Sequence, residues 1–218
     1  MMSDKIWSEL VDLFMQGRYR DLIEYSQGLL IEFPAESKLL NIVGLSYENE
    51  NNLGKAVDLY NRAIKAMPEN AVAYFNLGNA HRKSKNNQAA IKAYKASLSI
   101  EPDHEVYLNL GNAQQDIGDS EGALESYYAV LQIDPNYPAA YVNIGFLLQE
   151  SGNYQGAIAN YQRAVELEPQ NRTANAALGF ALLSVGKTRQ GLEYQTVGVG
   201  ALKFSKKSGI KIHSGVQS

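Results

Sequence analysis

Three asparagines stand at nearly equal distances along the chain. Asn76, Asn109 and Asn143 are separated by 33 and 34 residues, and each precedes a Leu-Gly or Ile-Gly pair. A primary amide both donates and accepts hydrogen bonds, so it can pair with the N–H and C=O of an extended peptide without reading its side chains. Because asparagine costs roughly 0.5–0.7 kcal/mol against alanine inside a helix, its recurrence at mid-helix positions predicts contact with a peptide backbone.

A structural role for these asparagines is the alternative. Each amide could instead bond to a neighbouring helix or to water within the protein, and both interpretations stay open at this stage. Even if all three bind a peptide, a net 0.5–1.5 kcal/mol per hydrogen bond gives only modest affinity. Tight binding would need side-chain pockets as well.

Other reactive side chains do not form a recognisable site in the sequence. The histidines, His81, His104 and His213, lack a partner at metal-ligand spacing, and there is no cysteine. Gly198 and Gly200 lack the lysine of a phosphate-binding loop. We therefore expect no catalytic centre, no metal and no cofactor.

The elements that would position the asparagines repeat along the chain. Four residue classes share one period of 33 or 34 residues. They are prolines 34, 68, 102, 135 and 169, glycines 44, 78, 111, 145 and 179, small residues Ala56, Ala90, Ala123, Ala157 and Gly191, and tyrosines 60, 94, 127 and 161. Apolar residues lie at helical spacing in between, which predicts pairs of helices of about 14 residues.

This pattern resembles the tetratricopeptide repeat (TPR) family. The copy with the most matching residues has Tyr74, Leu77, Gly78, Ala90, Tyr94 and Pro102. The resemblance implies an all-α, right-handed superhelical solenoid of about six helix-turn-helix units over residues 1–195. Its expected units are a degenerate 4–36, then 37–70, 71–103, 104–137 and 138–171, and a partial 172–195.

The family also implies that the first helix of each unit lines a concave groove. Asn76, Asn109 and Asn143 would then stack along it, in an arrangement similar to the asparagine ladder in the repeat region of O-linked N-acetylglucosamine transferase. Further peptide-binding candidates beside these positions are Asn79, Asn112, Phe75, Leu108, Val142, Phe146 and Phe180. The carboxylate clamp of other family members fits less well, because Phe75 and Leu108 stand where its lysine belongs.

Charge is distributed unevenly along the chain. The first 195 residues contain 16 Lys and Arg and all 23 Asp and Glu, a net charge of −7, whereas residues 196–218 carry +4. An acidic body argues against nucleic-acid binding. No apolar stretch approaches the roughly 20 residues of a membrane span, and Asp4 and Glu9 interrupt any export signal. These features favour a cytoplasmic protein without a membrane partner.

Residues 196–218 depart from the repeat and form a basic, non-helical tail. Two strand-like runs, Ala201–Phe204 and Ile210–His213, predict a β-hairpin. It could cover the last helices, pair with a second copy in a homodimer, or open a further domain. The leading functional hypothesis is a non-enzymatic scaffold that binds an extended peptide. The alternatives are an accessory or regulatory segment of a group-transferase or other multidomain enzyme, and a self-assembling structural module that dimerises through the tail or an end repeat.

Overall fold

The computed structural model describes residues 2–199, 202–205 and 209–212, with side chains described for 2–199. Residues 2–199 contain twelve helices. They are α1 (Asp4–Met15), α2 (Tyr19–Glu32), α3 (Ser37–Asn49), α4 (Leu53–Ala66), α5 (Ala71–Lys83), α6 (Asn87–Ile100), α7 (His104–Asp116), α8 (Ser120–Ile133), α9 (Pro138–Glu150), α10 (Tyr154–Leu167), α11 (Arg172–Ser184) and α12 (Thr188–Val199).

The helix ends follow from turn and capping residues that recur with the repeat. Asparagine side chains accept the backbone N–H three residues ahead at five helix starts: Asn52, Asn70, Asn86, Asn153 and Asn171. Each turn inside a helix pair places one residue at positive φ. The residue is glycine in four of these six turns, but Asn51 and Lys85 adopt φ of 58° in the other two.

The chain divides into two compact units, Met1–Ala123 and Leu124–Ser218. In the first unit, α3 packs on α4 and α5 on α6. Gly44 and Gly78 face the rings of Tyr60 and Tyr94, and both rings are wholly buried. The absence of a Cβ at these glycines lets paired helices approach closely.

The second unit repeats this packing. There α9 packs on α10, and α11 on α12. Gly145 faces the buried Tyr161, as Gly78 faces Tyr94. At the last helix pair, a contact between Gly179 and Gly191 replaces the contact between glycine and tyrosine. A Cβ on either glycine would lie 2.8 Å from the backbone oxygen of the other. The core of this unit is formed mainly by small and aliphatic residues of α10 and α11.

Two short strands follow the last helix. β1 (Leu202–Ser205) pairs antiparallel with β2 (Gly209–Ile212), with Leu202 opposite Ile212 and Phe204 opposite Ile210. The expected strands also included Ala201 and His213, which lie outside the described residues. A folded hairpin in the tail stays a prediction.

The all-helical repeat fold is confirmed for residues 2–199. The count of six repeat units and the unit boundaries stay predictions. No helix in the part of the chain that the structure describes has the length and apolar character needed to cross a membrane.

Candidate functional site

Two buried tyrosines join the two helices of their own helix pairs through their hydroxyls. The Tyr60 hydroxyl donates to Glu48 Oε2 at 2.9 Å, and the Tyr94 hydroxyl donates to Asn79 Oδ1 at 2.7 Å. Burial raises the pKa of Tyr94 to about 12, although the nearby Arg82 guanidinium acts in the opposite direction. The candidate Asn79, which is half-buried, therefore uses its carbonyl oxygen to anchor the core of the repeat.

A charged contact joins two neighbouring repeats beside these tyrosines. Glu48 on α3 is 8% exposed and contacts Lys83 on α5, with 2.7 Å between Oε1 and Nζ. Together with the bond from Tyr60, this gives both oxygens of a buried carboxylate a partner. The paired carboxylate fixes α5 relative to α3, and so fixes the residues that these helices present.

Asn76 is almost completely buried and is bonded to a second amide. Its Nδ2 donates to Asn41 Oδ1 on α3 at 3.3 Å, and its side chain is 5% exposed. Asn41 is half-buried, and its own Nδ2 has no hydrogen-bond partner among the described residues. The two amides therefore satisfy each other in part, and the pair keeps donor capacity on Asn41.

The other asparagine candidates have different environments. Asn109 is half-buried on α7, and its Nδ2 donates to Glu105 O in its own helix at 2.9 Å. Asn112 on α7 and Asn143 on α9 are half-buried and each has a partner. Asn76 and Asn109 belong to the first unit and Asn143 to the second. A continuous line through all three stays a prediction.

The apolar candidates range from core to exposed positions. Phe75 is half-buried beside Tyr94, with ring centroids 6.1 Å apart, and Leu108 is also half-buried. Val142 is buried in the core of the second unit. Phe146 on α9 and Phe180 on α11 are exposed, so they are the two apolar candidates best placed to contact a ligand there.

An apolar groove lies within the first unit. It has a volume of about 610 Å³ and is formed by α1, α3 and α5. Its apolar floor consists of Trp7, Val11, Phe14, Ile42, Leu45, Met67 and Val72. Val72 is 56% exposed, so part of this floor is open to solvent.

Acidic residues line one edge of this groove. Glu36, Glu69 and Glu101 lie in the segments that lead into α3, α5 and α7, and Lys38 is the one basic residue of the lining. Among the polar residues of the lining, Ser37 donates to Ala63 O and accepts from Asn70 Nδ2. The Asn41 amide keeps donor capacity beside the apolar floor.

This groove was not among the sites predicted from the sequence. The predicted residues stand at matching positions of the repeat, and α1 lacks the glycine of that motif. A signal was nevertheless present, because Trp7, Val11 and Phe14 follow i, i+4, i+7 spacing and so share one helix face. All three side chains are only half-buried in the structure.

Comparisons with known proteins identify the repeat. A family model described as TPR repeat matches residues 44–85, 116–152 and 148–186, slightly more than half of the chain. A second model, described as tetratricopeptide repeat, matches residues 71–104. The TPR domain-containing protein PYG7, chloroplastic, of Arabidopsis thaliana is 31% identical over 70 residues, which are 32% of this chain and 23% of that protein. The match thus spans less than a quarter of that relative.

Solved structures give the same fold. MamA (41-end) from Desulfovibrio magneticus RS-1 superposes with a TM-score of 0.71 at 20% identity, covering 78% of this chain and 98% of that one. YrrB, described as a TPR protein with an unusual peptide-binding site, superposes with a TM-score of 0.65 at 17% identity, covering 79% and 89%. The specific resemblance to O-linked N-acetylglucosamine transferase stays a prediction. The repeats and the fold of this chain, together with the matching family models, show that the chain belongs to the tetratricopeptide repeat family.

Proposed function

We propose that this chain is a non-catalytic protein-interaction scaffold, and that it binds an extended segment of a partner in the groove formed by α1, α3 and α5. The observation that carries the proposal is the open apolar floor with an amide pair beside it. Family membership supports the scaffold role, and the peptide-binding site described for YrrB supports a peptide as ligand. A cytoplasmic location stays a prediction.

The size of the groove fits a short peptide segment. Ligand sites in proteins commonly have volumes of about 300–1,000 Å³, and this groove has about 610 Å³. An extended chain rises about 3.3 Å per residue, and three adjacent helices at 8–10 Å spacing span roughly 16–20 Å. The groove therefore accommodates about five or six residues, of which alternate side chains face the floor.

The amide pair can bind the backbone of that segment. Asn41 retains its Nδ2 protons, and its partner Asn76 fixes the orientation of the amide plane through the 3.3 Å hydrogen bond. A fixed amide loses little conformational freedom when it binds, which favours affinity. Within this proposal Asn76 acts mainly as a positioning residue, and Asn41 contacts the peptide carbonyl.

A peptide library tests the proposal. We would select peptides from a phage-displayed library of random 12-residue sequences on the full chain. The dissociation constant of each selected peptide would then be measured by fluorescence anisotropy. Val72→Asp places a charge on the exposed floor, so we expect it to weaken binding at least about tenfold, which corresponds to 1.4 kcal/mol. Asn41→Ala should weaken it about threefold to tenfold, the loss of one hydrogen bond.

The matched control is Ile31→Asp. Ile31 is 83% exposed on α2 and does not line the groove, so the same change of chemistry there should leave affinity unchanged. Phe180→Asp distinguishes binding in the groove from binding on the second unit, because Phe180 is exposed on the second unit. Peptides that bind Val72→Asp as tightly as the unsubstituted chain, or that respond to Phe180→Asp alone, would contradict the proposed groove.

A further inference from the structure

We propose that the groove of α1, α3 and α5 is occupied by the basic tail segment 202–212 of a second copy of this chain. This inference rests on the proposed groove and adds the identity of its occupant. Each copy has one groove and one tail, so a reciprocal exchange gives a closed dimer with two equivalent contacts.

The first argument is charge complementarity. Glu36, Glu69 and Glu101 lie along one edge of the groove against the single Lys38, so the lining is net negative. The four basic residues after position 195 are all lysines within 203–211, and no acid accompanies them. Opposite charges of this kind steer association and set its register, and they act against partners of the wrong charge.

The second argument is the pattern of the tail. The register pairs Leu202 with Ile212 and Phe204 with Ile210. Directly opposed residues belong to the same face of a two-stranded sheet, so these four apolar residues share one face. A two-stranded hairpin is only marginally stable in water on its own, and it gains stability when an apolar surface covers that face. The apolar floor of the groove is such a surface.

The third argument concerns the other face of the hairpin. Lys203 lies directly opposite Lys211 in the register. Like charges at opposed positions destabilise a strand pair, and a row of carboxylates within reach removes that cost. Lysine stems are long enough to extend sideways while the ammonium group stays in water. The acidic edge of Glu36, Glu69 and Glu101 supplies those carboxylates when the apolar face lies on the floor.

The dimensions agree with this arrangement. A strand of four residues is about 13 Å long, and the three inner helices span roughly 16–20 Å. In the first unit, α1 packs against α3 and α3 against α5, so the floor is continuous across these helices. The hairpin therefore covers most of the floor without extending past it.

Charge reversal in full-length protein tests the proposal. The tail variant is Lys203→Glu with Lys211→Glu, and the groove variant is Glu69→Lys with Glu101→Lys. The unsubstituted chain should sediment at twice the monomer mass at low salt, and each variant alone should be monomeric. An equimolar mixture of the two variants should restore the dimer, because both contacts in the mixed pair again join opposite charges.

Salt and floor variants complete the experiment. The apparent dimer dissociation constant should rise about tenfold or more as the Debye length falls from about 30 Å at 0.01 M to about 3 Å at 1 M salt. Val72→Asp should also give a monomer, whereas Ile31→Asp should not. A tail variant or a groove variant that still dimerises on its own would overturn the proposal, and so would a mixture that stays monomeric.

The result also separates this inference from the proposed function. The unsubstituted chain could be monomeric at all concentrations while library peptides still bind it and lose affinity in Val72→Asp. In that case the tail of a second copy is not the occupant, and the groove is still a peptide-binding site. If a chain carrying both sets of reversals regains a compact, protease-resistant tail as a monomer, the tail docks within its own chain and the second-copy proposal is wrong.

Discussion

The contact between Gly78 and Tyr94 gives the sharpest test of how the repeats pack. A Cβ at position 78 would lie 2.5 Å from Cε1, 2.6 Å from Cδ1 and 3.0 Å from Cζ of the tyrosine ring. The ring cannot easily move away, because it is wholly buried and its hydroxyl is held by Asn79 Oδ1 at 2.7 Å. Gly78→Ala must therefore displace either the ring or the backbone of α5.

Two opposing effects set the size of the change. Overpacking a core costs typically 1–3 kcal/mol, and a fixed ring places this site in the upper part of that range. Alanine in place of glycine inside a helix returns about 0.8–1.0 kcal/mol. We therefore expect Gly78→Ala to lower the free energy of unfolding by about 1–2 kcal/mol.

Urea denaturation followed by far-UV circular dichroism measures this difference. The midpoint should fall while the slope m stays constant, which identifies a change in stability alone. Gly28→Ala is the matched control, because Gly28 lies inside α2 and a Cβ there would have no atom within 4 Å. The control should raise the free energy of unfolding by about 0.8–1.0 kcal/mol.

A double variant isolates the ring as the cause. Leucine at position 94 lacks the Cε1 and Cζ atoms, so Gly78→Ala should cost at least about 1 kcal/mol less in a Tyr94→Leu background than alone. If Gly78→Ala is as stable as the Gly28→Ala control, close packing of Gly78 on the Tyr94 ring is wrong as the cause. The same conclusion follows if the stability losses of the two single variants simply add up in the double variant.

Three further predictions concern buried and strained groups. Because burial raises the pKa of Tyr94 to about 12, the folded state keeps this proton above pH 10 while the unfolded state loses it. The contribution of Tyr94 to the free energy of unfolding should thus be steady below pH 10 and fall by about 1.4 kcal/mol per pH unit between pH 10 and 12. Burial also raises the pKa of Tyr60 and of Tyr161, so the whole chain should lose stability more steeply than this. In Tyr94→Phe the fall measured by urea titration should be shallower by the contribution of Tyr94. Lys83→Met leaves the buried Glu48 with one partner and should cost about 1–2 kcal/mol by thermal unfolding, but much less in a Glu48→Gln background. Lys85→Gly should stabilise the chain by up to about 1 kcal/mol, because a lysine at φ of 58° is strained, whereas Gly118→Lys should have the opposite effect in the same assay.

The packing residues of this fold could be predicted from the sequence because they repeat. Gly78 and Tyr94 meet in the structure as the same residues do one period earlier and one period later, at Gly44 and Tyr60 and at Gly145 and Tyr161. Each pair occupies an equivalent buried environment, so selection for close packing produces the same residue types at a fixed interval. The loops were predictable for the same reason, since the turns of α3–α4 and α5–α6 place Asn51 and Lys85 at equal φ.

The hydrogen-bond partners of the candidate site could not be predicted in this way. Asn79 was a candidate for peptide binding, but its carbonyl oxygen accepts from the Tyr94 hydroxyl. Asn76 pairs with Asn41, which lies 35 residues away and one position out of register with the repeat. Such partners depend on which side chains two neighbouring helices bring together, and that geometry is not encoded in the motif of one repeat.

The position of Asn76 explains why the groove changes character along the first unit. The residue one repeat earlier is Ile42, which lies in the apolar floor, and the residue one repeat later is Asn109. Because α3 packs against α5 and α5 against α7, the inner surface passes from apolar side chains to amides at the contact between α3 and α5. A bound segment is therefore expected to place apolar side chains on the floor of α1, α3 and the start of α5, and a backbone carbonyl beside Asn41 where α3 meets α5. The repeat therefore predicted the amides, which recur with its period. It did not predict the apolar floor, because three of the floor residues, Trp7, Val11 and Phe14, come from α1, which lacks the glycine of the motif.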